Sequence, residues 1–425
     1  MKHGLARLVA AAALITIAAP ESGAQVFTRH GELFRVGPQP SAIAARDLND
    51  DGWPDIVTAD RGQLSGPREE RPANDELSVL ISQDKLKYTR RHPSLKTGFA
   101  PYAIVLANID ALKWPDIVVA SFLSTRGFDL SVFLNLKQED VFKPHHFSIS
   151  EDALVYYGPR DGDGNPLFTS PGLTSLAVHD FNGDGLRDLV AAGWSSDVLV
   201  YIPGHAETYF GEPEFLRAPG APRDVTLGDF NGDGHMDLAV CYYQDRTIGL
   251  WKGDGAGGFE EQTRFNTRGR LPVSLEAGDL NADGKLDLAV GHAYADDSVV
   301  LFFGDGSFSF PLSQEFLFGD DREVLEHEVR DVALGDFDRN GRLDVAAACY
   351  ASGKVIALCG RGGDGGGIPR FEKQTFEFPE GKPRALCAAD LNGDGADDLA
   401  VALWEADAVG LLLGKPSGPA PAATE

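Results

Sequence analysis

The sequence is poor in the features that mark several common classes of protein. It has 4 cysteines and 2 methionines in 425 residues, and no apolar run after the first 24 residues is long enough to span a bilayer. Its 38 lysines and arginines are outnumbered by 64 acidic residues, which gives a net charge of −26. This excess of negative charge argues against nucleic acid or an anionic membrane as a partner. We therefore expect neither nucleic-acid binding nor membrane insertion.

The few cysteines show no disulfide framework. Cys349 and Cys359 flank a predicted hairpin, but its expected register does not place them opposite each other. We predict that these two, with Cys241 and Cys387, are small buried side chains inside strands. Motifs of serine hydrolases, zinc proteases and P-loop enzymes are also absent from the sequence. Catalysis by residues from separate segments stays open, because such a site leaves no local motif.

The N-terminus is typical of a secretory signal peptide. A positively charged start is followed by the apolar run 8–19 and by small residues at 22–24. We predict that residues 1–24 are a signal peptide and that the mature chain begins at Gln25. The protein is therefore expected to be secreted or periplasmic.

One nine-residue pattern, D-x-[ND]-x-[DN]-G-x-x-D, recurs along the chain. Its six good copies begin at Asp47, Asp180, Asp229, Asp279, Asp336 and Asp390, and a degraded seventh copy begins at Asn108. Successive first positions lie 61, 72, 49, 50, 57 and 54 residues apart. A period near 50 residues is typical of propellers, solenoids or repeat arrays.

The spacing within the pattern has a chemical interpretation. Oxygen side chains at positions 1, 3 and 5 converge when the chain curls, glycine at position 6 allows the turn, and the carboxylate at position 9 closes the cage. Hard oxygen ligands suit Ca²⁺, and the absence of His and Cys from the ligand positions of the motif argues against zinc. We predict about six Ca²⁺ sites, and the alternative is a metal-free Asx-type turn. The predicted side-chain ligands are Asp47, Asn49, Asp51, Asp55, Asp180, Asn182, Asp184, Asp188, Asp229, Asn231, Asp233, Asp237, Asp279, Asn281, Asp283, Asp287, Asp336, Asp338, Asn340, Asp344, Asp390, Asn392, Asp394 and Asp398.

These loops are not EF-hands. An EF-hand needs a glutamate at position 12 and a helix on each side. Position 12 is apolar in five good copies and is Thr58 in the sixth. The flanking runs, such as 224–228 and 237–240, are short and rich in Val and Leu, which is typical of strands. Each loop is therefore predicted to join two strands.

Each full repeat contains four predicted strands, which is typical of a propeller blade. In the fourth repeat they span 222–230, 238–243, 247–253 and 259–265. The seventh repeat ends after three strands, and the strand-like residues 26–36 are free to supply the fourth. We therefore predict an all-β fold: a seven-bladed β-propeller of four-stranded antiparallel blades over residues 25–415. The N-terminal strand closes the ring by joining the last blade, and residues 416–425 form a disordered tail.

The repeats resemble the FG-GAP/VCBS family, whose calcium-loop propeller repeats also occur in integrin α-subunit heads. Residues 228–240 and 278–290, with their counterparts across 26–415, carry the resemblance. It implies that the loop between the first and second strands of a blade binds Ca²⁺. In blade two, Leu112 and Lys113 replace the position-5 oxygen and the glycine. We expect no Ca²⁺ in that blade, with the Lys113 ammonium in its place.

A ring of aromatic residues is predicted on the rim opposite the metal loops. Six places after the last motif aspartate, five blades carry Phe122, Trp194, Tyr243, Tyr350 and Trp404. Blade five has Tyr294 one place later, and blade one has Arg61. These rings either stack on sugars or pack between neighbouring blades.

Three arginines and two insertions belong to the same rim. Arg223, Arg330 and Arg384 stand at the start of the first strand in blades four, six and seven. They either line the channel mouth and pair with carboxylates, or are solvated or locally paired. The insertions 60–76 and 137–175 are candidates for a functional role, because long loops on a rigid scaffold often carry function.

Three functional hypotheses follow. The first is a calcium-binding interaction module for a glycan or protein ligand, in which Ca²⁺ rigidifies the blades and the opposite rim binds. The second is a polysaccharide-degrading enzyme of the lyase type, in which arginines neutralise a uronate and a His or Tyr is the base. The third is a purely structural surface protein. We expect a monomer and assign no catalytic residue.

Overall fold

The structure is a computed structural model. It describes residues 13–16, 25–62, 74–110, 112–122, 128–136, 142–149, 171–293, 298–319, 328–362 and 368–416. Every regular element in these ranges is a β-strand. None of the described segments forms a helix long and apolar enough to cross a membrane. The predicted tail and most of the two insertions lie outside the described residues.

The strands form seven antiparallel sheets, each with four main strands that follow the chain outward from the central channel. Blades one to four consist of Pro40–Arg46, Asp55–Asp60, Glu76–Asp84 and Lys87–Arg90; Pro101–Ala107, Asp116–Ser121, Leu130–Asn135 and Phe142–Phe147; Leu173–His179, Asp188–Gly193, Val198–Ile202 and Glu214–Arg217; and Pro222–Gly228, Asp237–Tyr242, Thr247–Gly253 and Phe259–Asn266.

The remaining blades repeat the pattern. Blades five to seven consist of Pro272–Gly278, Asp287–His292, Ser298–Phe303 and Leu312–Leu317; Val329–Gly335, Asp344–Cys349, Lys354–Arg361 and Arg370–Glu377; and Pro383–Ala389, Asp398–Leu403, Ala408–Gly414 and Phe27–Arg29. Short additional strands are Phe34–Arg35, Leu95–Lys96, Gly204–His205 and Tyr209–Phe210. The prediction of seven four-stranded blades is confirmed.

The second strand of every blade is buried along its whole length. It lies between the first and third strands of its sheet and between two neighbouring blades, so both of its faces are covered. This is why these strands are nearly continuous apolar runs. Cys241 and Cys349 lie in such strands and Cys359 in a third strand; all three are buried, and none of the four cysteines is bridged.

The ring closes as the sequence predicts. Phe27–Arg29 pairs antiparallel with Ala408–Gly414 and forms the outermost strand of blade seven. Phe27 is fully buried, and its ring centroid lies 4.8 Å from that of Phe337 in blade six. The innermost strands of blades seven and one, Pro383–Ala389 and Pro40–Arg46, are in contact. Closure therefore ties both ends of the ring to buried partners and leaves no open gap between blades.

One strand lies outside this plan. Residues Ala13–Thr16 pair in parallel with Leu312–Leu317 and extend blade five at its outer edge. These four residues belong to the predicted signal peptide, whose cleavage would remove this additional strand. The four main strands of the blade pair with one another independently of it.

Candidate functional site

A β-bulge begins the innermost strand of every blade. The ladder with the second strand skips one residue at the same point in all seven blades. A bulge leaves one residue outside the ladder and re-aims its side chain. All seven bulged residues line the central channel: Ser41, Tyr102, Thr174, Arg223, Val273, Arg330 and Arg384.

A second ring of residues surrounds the first. The residue six places after the last motif aspartate donates its backbone N–H to the carbonyl just before the innermost strand, at 2.9 to 3.2 Å in all seven blades. The donors are Arg61, Phe122, Trp194, Tyr243, Ala293, Tyr350 and Trp404. The predicted equivalence of these positions is therefore confirmed, except that blade five presents Ala293. Tyr294 lies outside the described residues.

The two rings enclose a cavity of about 250 Å³ at the channel mouth. We name it the arginine mouth, and its lining residues are Arg61, Tyr102, Phe122, Trp194, Arg223, Arg330, Tyr350, Arg384 and Trp404. Seven of the eight residues predicted to contact a ligand are among them. Tyr243 has the equivalent backbone position but does not line this cavity. The four outer aromatic rings are half-buried, and two of them, Phe122 and Trp194 of adjacent blades, contact each other with 5.8 Å between their centroids.

Tyr102 lies at the centre of the arginine mouth. Its hydroxyl accepts a hydrogen bond of 2.7 Å from Arg384 Nη2 and another from Arg223 Nη2. The Arg61 guanidinium carbon lies 5.2, 5.7 and 5.7 Å from the ring centroids of Tyr102, Phe122 and Trp404. Cation–π contact at this range holds the cation over the ring faces. Residues from blades one, two, four and seven thus meet around one phenol.

The arginine mouth carries an excess of positive charge. Arg330 forms an ion pair with Glu328. Within the described part of the chain, no carboxylate lies within ion-pair distance of Arg61, Arg223 or Arg384. Burial lowers the pKa of Arg61 to about 10, and the neighbouring guanidiniums contribute to this shift. The arrangement can therefore accept an anion that supplies the missing negative charge.

The same charges act on the central phenol. Burial favours the neutral form of Tyr102, but the positive charges of Arg223, Arg384 and Arg61 outweigh it and lower the pKa of the Tyr102 hydroxyl to about 7. Opposite charges at close range favour the ionised form of an acid. Tyr102 is thus a titratable group at neutral pH.

Carboxylates lie deeper in the channel, and two of them, both half-buried, join neighbouring blades. Asp224 in blade four accepts the backbone N–H of Leu275 in blade five at 2.9 Å. Asp331 in blade six accepts the backbone N–H of Leu386 in blade seven at 2.8 Å. Burial and the neighbouring carboxylates raise the pKa of Glu276, which also lines the channel, to about 8. Burial raises the pKa of Asp331 only to about 6, so this carboxylate is ionised at neutral pH and places negative charge below the arginine mouth.

The predicted metal loops lie at the other end of the channel and have a common geometry. In each good copy, the position-1 carboxylate accepts the backbone N–H groups of positions 5 and 6. In the blade-four loop, for example, these bonds run from Asp233 and Gly234 to Asp229 at 3.1 and 2.9 Å. The loop therefore curls around its first carboxylate, as the spacing predicts. The same bonds also describe an Asx-type turn, so the metal remains a prediction.

The position-9 aspartate has a role that the sequence did not indicate. In all seven blades it is fully buried and accepts at least two backbone N–H groups, one from position 2 of its loop and one from the end of the third strand or just beyond it. Asp116 of the degraded loop does the same, with bonds of 2.7 Å from Ile109 and 2.8 Å from Asn135. The carboxylate thus anchors each loop to its blade whether or not a cation motif is present.

The blade-six loop gives the most direct indication that a cation fits. Carboxylate oxygens of Asp336, Asp338 and Asp344 lie within 4.8 Å of one another. Asp338 Oδ1 is buried without a hydrogen-bond partner among the described atoms, while Oδ2 pairs with Arg361. A buried carboxylate oxygen without a partner is costly, and a hard cation offsets that cost. The donor set is therefore suited to Ca²⁺.

The expectation that Lys113 takes the place of Ca²⁺ in blade two is wrong. Its Nζ lies 2.7 Å from Asp50 Oδ1 in the neighbouring blade-one loop. The space within its own loop is closed by Asn108, whose Nδ2 donates to the carbonyls of Leu112 and Lys113 at 3.0 Å each. An amide donor satisfies those carbonyls, and the lysine is left to pair with the nearby carboxylate.

Sequence reasoning also missed Tyr102. The three predicted arginines stand at the start of the first strand, and Tyr102 has the same position in blade two. Tyr102 follows Pro101 as Arg223 follows Pro222 and Arg384 follows Pro383. The proline that directly precedes each of these residues is the sequence signal that relates Tyr102 to the two arginines.

Several solved structures share the fold. A crystal structure of BBS1N in complex with ARL6DN is similar with a TM-score of 0.58 and 15% identity, covering 92% of this chain and 98% of that chain. The virginiamycin B lyase of Staphylococcus aureus is similar with a TM-score of 0.55 and 13% identity, covering 91% and 99%. At such identities the likeness shows the propeller fold alone.

Sequence comparison identifies the repeats themselves. No curated protein sequence matches the chain. A family model described as an FG-GAP-like repeat matches residues 180–240, 229–290 and 336–401. Each match contains a metal-loop motif and the second strand that follows it. The chain is therefore a seven-bladed β-propeller in which residues 180–290 and 336–401 match the FG-GAP-like repeat.

Proposed function

We propose that the protein is a secreted or periplasmic interaction module that binds an acidic glycan at the arginine mouth. The observation that carries this proposal is the convergence of four guanidinium groups and four half-buried aromatic rings on one cavity of about 250 Å³. Guanidinium groups bind carboxylate and sulfate groups with two parallel hydrogen bonds, and aromatic faces stack on the apolar faces of sugar rings.

The charge of the whole protein makes this mouth selective. A net charge of −26 repels polyanions from the rest of the surface. The uncompensated arginines therefore provide a local point of attraction at one end of the channel. A neutral sugar gains only the stacking contribution, so we expect acidic saccharides to be preferred. A protein segment with acidic side chains is the alternative ligand.

Ca²⁺ has a structural role in this proposal. The six good loops occupy the rim opposite the arginine mouth, and each joins the first two strands of a blade. Residues of the mouth come from separate blades, so their geometry depends on the rigidity of every blade. Ca²⁺ bound in the loops stabilises the folded blades and thereby holds the mouth in shape.

A glycan array tests the proposal. The chain from residue 25 to 425 is applied with Ca²⁺ and again with EDTA, to neutral saccharides and to saccharides with carboxylate or sulfate groups. Binding confined to the acidic class, and weakened by added salt, is the expected result. A blank array from protein shown to be folded would overturn the glycan proposal and favour the protein ligand.

A further inference from the structure

We propose that the arginine mouth is also a catalytic site, in which Tyr102 removes a proton from a 4-linked uronate chain and cleaves it by β-elimination. This inference rests on the proposed function, because the substrate is an acidic glycan bound at the same place. It goes beyond that function, since an interaction module binds its ligand without turnover.

The hydrogen bonds of Tyr102 prepare it to act as a base. Among the described residues its hydroxyl contacts only Arg223 and Arg384, and both are donors. An ionised phenol has three lone pairs on oxygen. Two of them accept the guanidinium hydrogen bonds, and the third remains to accept a proton from a substrate. Tyr102 also lines both the mouth cavity and the channel below it, so the oxygen lies at the boundary that a bound sugar reaches.

The charge in the mouth accommodates both the phenolate and the substrate. Four guanidinium groups line the cavity, and Glu328 neutralises one of them through its pair with Arg330. Three positive charges remain. A Tyr102 phenolate and one uronate carboxylate together bring two negative charges, and one positive charge is left over. A bound uronate therefore does not force Tyr102 to take up a proton, as it would beside a single arginine.

Arg61 is the residue placed to hold the uronate carboxylate. It has no carboxylate partner among the described residues, and its buried Nε has no hydrogen-bond partner there. Arg223 and Arg384 already donate hydrogen bonds to the phenol oxygen of Tyr102, and Arg330 forms an ion pair with Glu328. A guanidinium bound to the carboxylate withdraws charge from it and acidifies the adjacent C5–H of the sugar, which is the difficult step of the reaction.

The reaction balances without a further reagent. Tyr102 Oη takes the proton from C5, and the electron pair of that C–H bond forms the C4–C5 double bond. The C4–O4 bond breaks, and the leaving O4 takes the proton that Tyr102 has received. The products are a chain with an unsaturated uronate at its non-reducing end and a chain with a new hydroxyl end, and Tyr102 returns to the phenolate.

The test uses the chain from residue 25 to 425 with Ca²⁺ and three substrates: polygalacturonate, alginate and hyaluronan. Unsaturated products are followed by ultraviolet absorbance and confirmed by mass spectrometry. We expect product from at least one substrate, and a loss of about 100-fold or more in kcat for Tyr102→Phe with its binding retained. The control is Tyr209→Phe, since Tyr209 belongs to a short hairpin of blade three and is not part of the mouth.

The outcomes separate this inference from the proposed function. Binding without product from any of the three polymers overturns the lyase inference and leaves the interaction module intact, whereas absence of both binding and product contradicts both. A second measurement needs no variant: kcat/KM of the unmodified chain is expected to rise with pH through a single ionisation near neutrality. Product formation that falls as pH rises through this range would exclude Tyr102 phenolate as the base.

Discussion

Arg384 Nη2 donates a hydrogen bond of 2.7 Å to the hydroxyl of Tyr102, a residue 282 positions away in the sequence. The two residues occupy the same bulged position in blades seven and two. The bond crosses the channel mouth, so it forms only when the ring of blades is closed. Closure of the propeller and assembly of the arginine mouth are therefore one event.

The first prediction concerns the ionisation of Tyr102. Because the guanidinium charges lower the pKa of the Tyr102 hydroxyl to about 7, one tyrosine of the protein is expected to ionise near neutral pH. Ultraviolet difference spectra recorded against pH measure it. This ionisation should vanish in Tyr102→Phe and move to higher pH in Arg384→Gln, which removes a positive charge from the oxygen. A spectrum with no tyrosine ionising below the usual range contradicts the electrostatics of the mouth.

The second prediction concerns affinity for an acidic saccharide. Arg61→Gln removes the guanidinium placed to hold the ligand carboxylate and should weaken binding by about 10- to 100-fold, the usual effect of losing one charge-assisted hydrogen bond. Titration calorimetry with an acidic oligosaccharide found on the array measures it. Arg370→Gln is the matched control, since Arg370 is an exposed residue at the start of an outer strand. Equal losses in both variants would indicate a general charge effect and not a site.

The third prediction concerns the number of Ca²⁺ ions. We expect six per chain, and EDTA should lower the melting temperature, because a ligand at 100 times its Kd adds about 2.7 kcal/mol per site to the stability. Asp283→Ala should remove one ion. Asp110→Ala, in the degraded loop, should remove none. The pair is well matched, since each aspartate accepts one backbone N–H two residues further on, at 3.0 and 2.9 Å. An unchanged melting temperature in EDTA would refute the structural role of Ca²⁺.

The fourth prediction separates the metal from the anchoring role of position 9. Asp116→Ala leaves two buried backbone N–H groups without an acceptor, at a cost of about 1–3 kcal/mol each. This loss of unfolding free energy should be the same in Ca²⁺ and in EDTA, because blade two has no cation motif. The equivalent Asp287→Ala should lose more stability in Ca²⁺ than in EDTA. A calcium-dependent effect at Asp116 would show that the degraded loop still binds an ion.

The sequence predicted the blades and both rims because these depend on short-range signals. The repeat spacing, the strand-flanked loops and the place of Phe122 or Trp404 after each motif follow from period and position alone. The mouth was only half predicted. Strand alternation does not reveal a bulge, and it is the bulge that aims Tyr102 into the channel beside Arg223 and Arg384. Nor does sequence order show that residues of blades one, two, four and seven meet.

Loop chemistry shows the same limit. The motif predicted where carboxylates converge. The anchoring role of the position-9 aspartate, however, depends on a backbone N–H at the end of the third strand. In blades four and five this donor is Gly253 or Gly304, which lies 16 or 17 residues after the aspartate. Lys113 pairs with Asp50 of the adjacent blade, 63 residues away. Such contacts depend on how strands and neighbouring blades pack, which a local sequence pattern does not predict.

The last prediction concerns stability at low pH. His292 in blade five is fully buried, and burial lowers its pKa to about 4. In the unfolded chain the imidazole takes up a proton near its ordinary pKa of about 6.5, whereas the folded protein resists protonation until about pH 4. The unfolding free energy should therefore fall as pH decreases between these values, with a contribution from His292 of at most about 1.4 kcal/mol per pH unit.

Denaturant unfolding at pH 7, 6, 5 and 4.5 measures this contribution as the difference between the unmodified chain and His292→Gln. We expect the variant to lose less stability across this range, even if its stability at pH 7 is lower. His205→Gln is the control, because it makes the same substitution at an exposed histidine. Parallel pH profiles for all three proteins would mean that His292 takes up its proton in the folded state as readily as in the unfolded chain, and that the interior of blade five admits water.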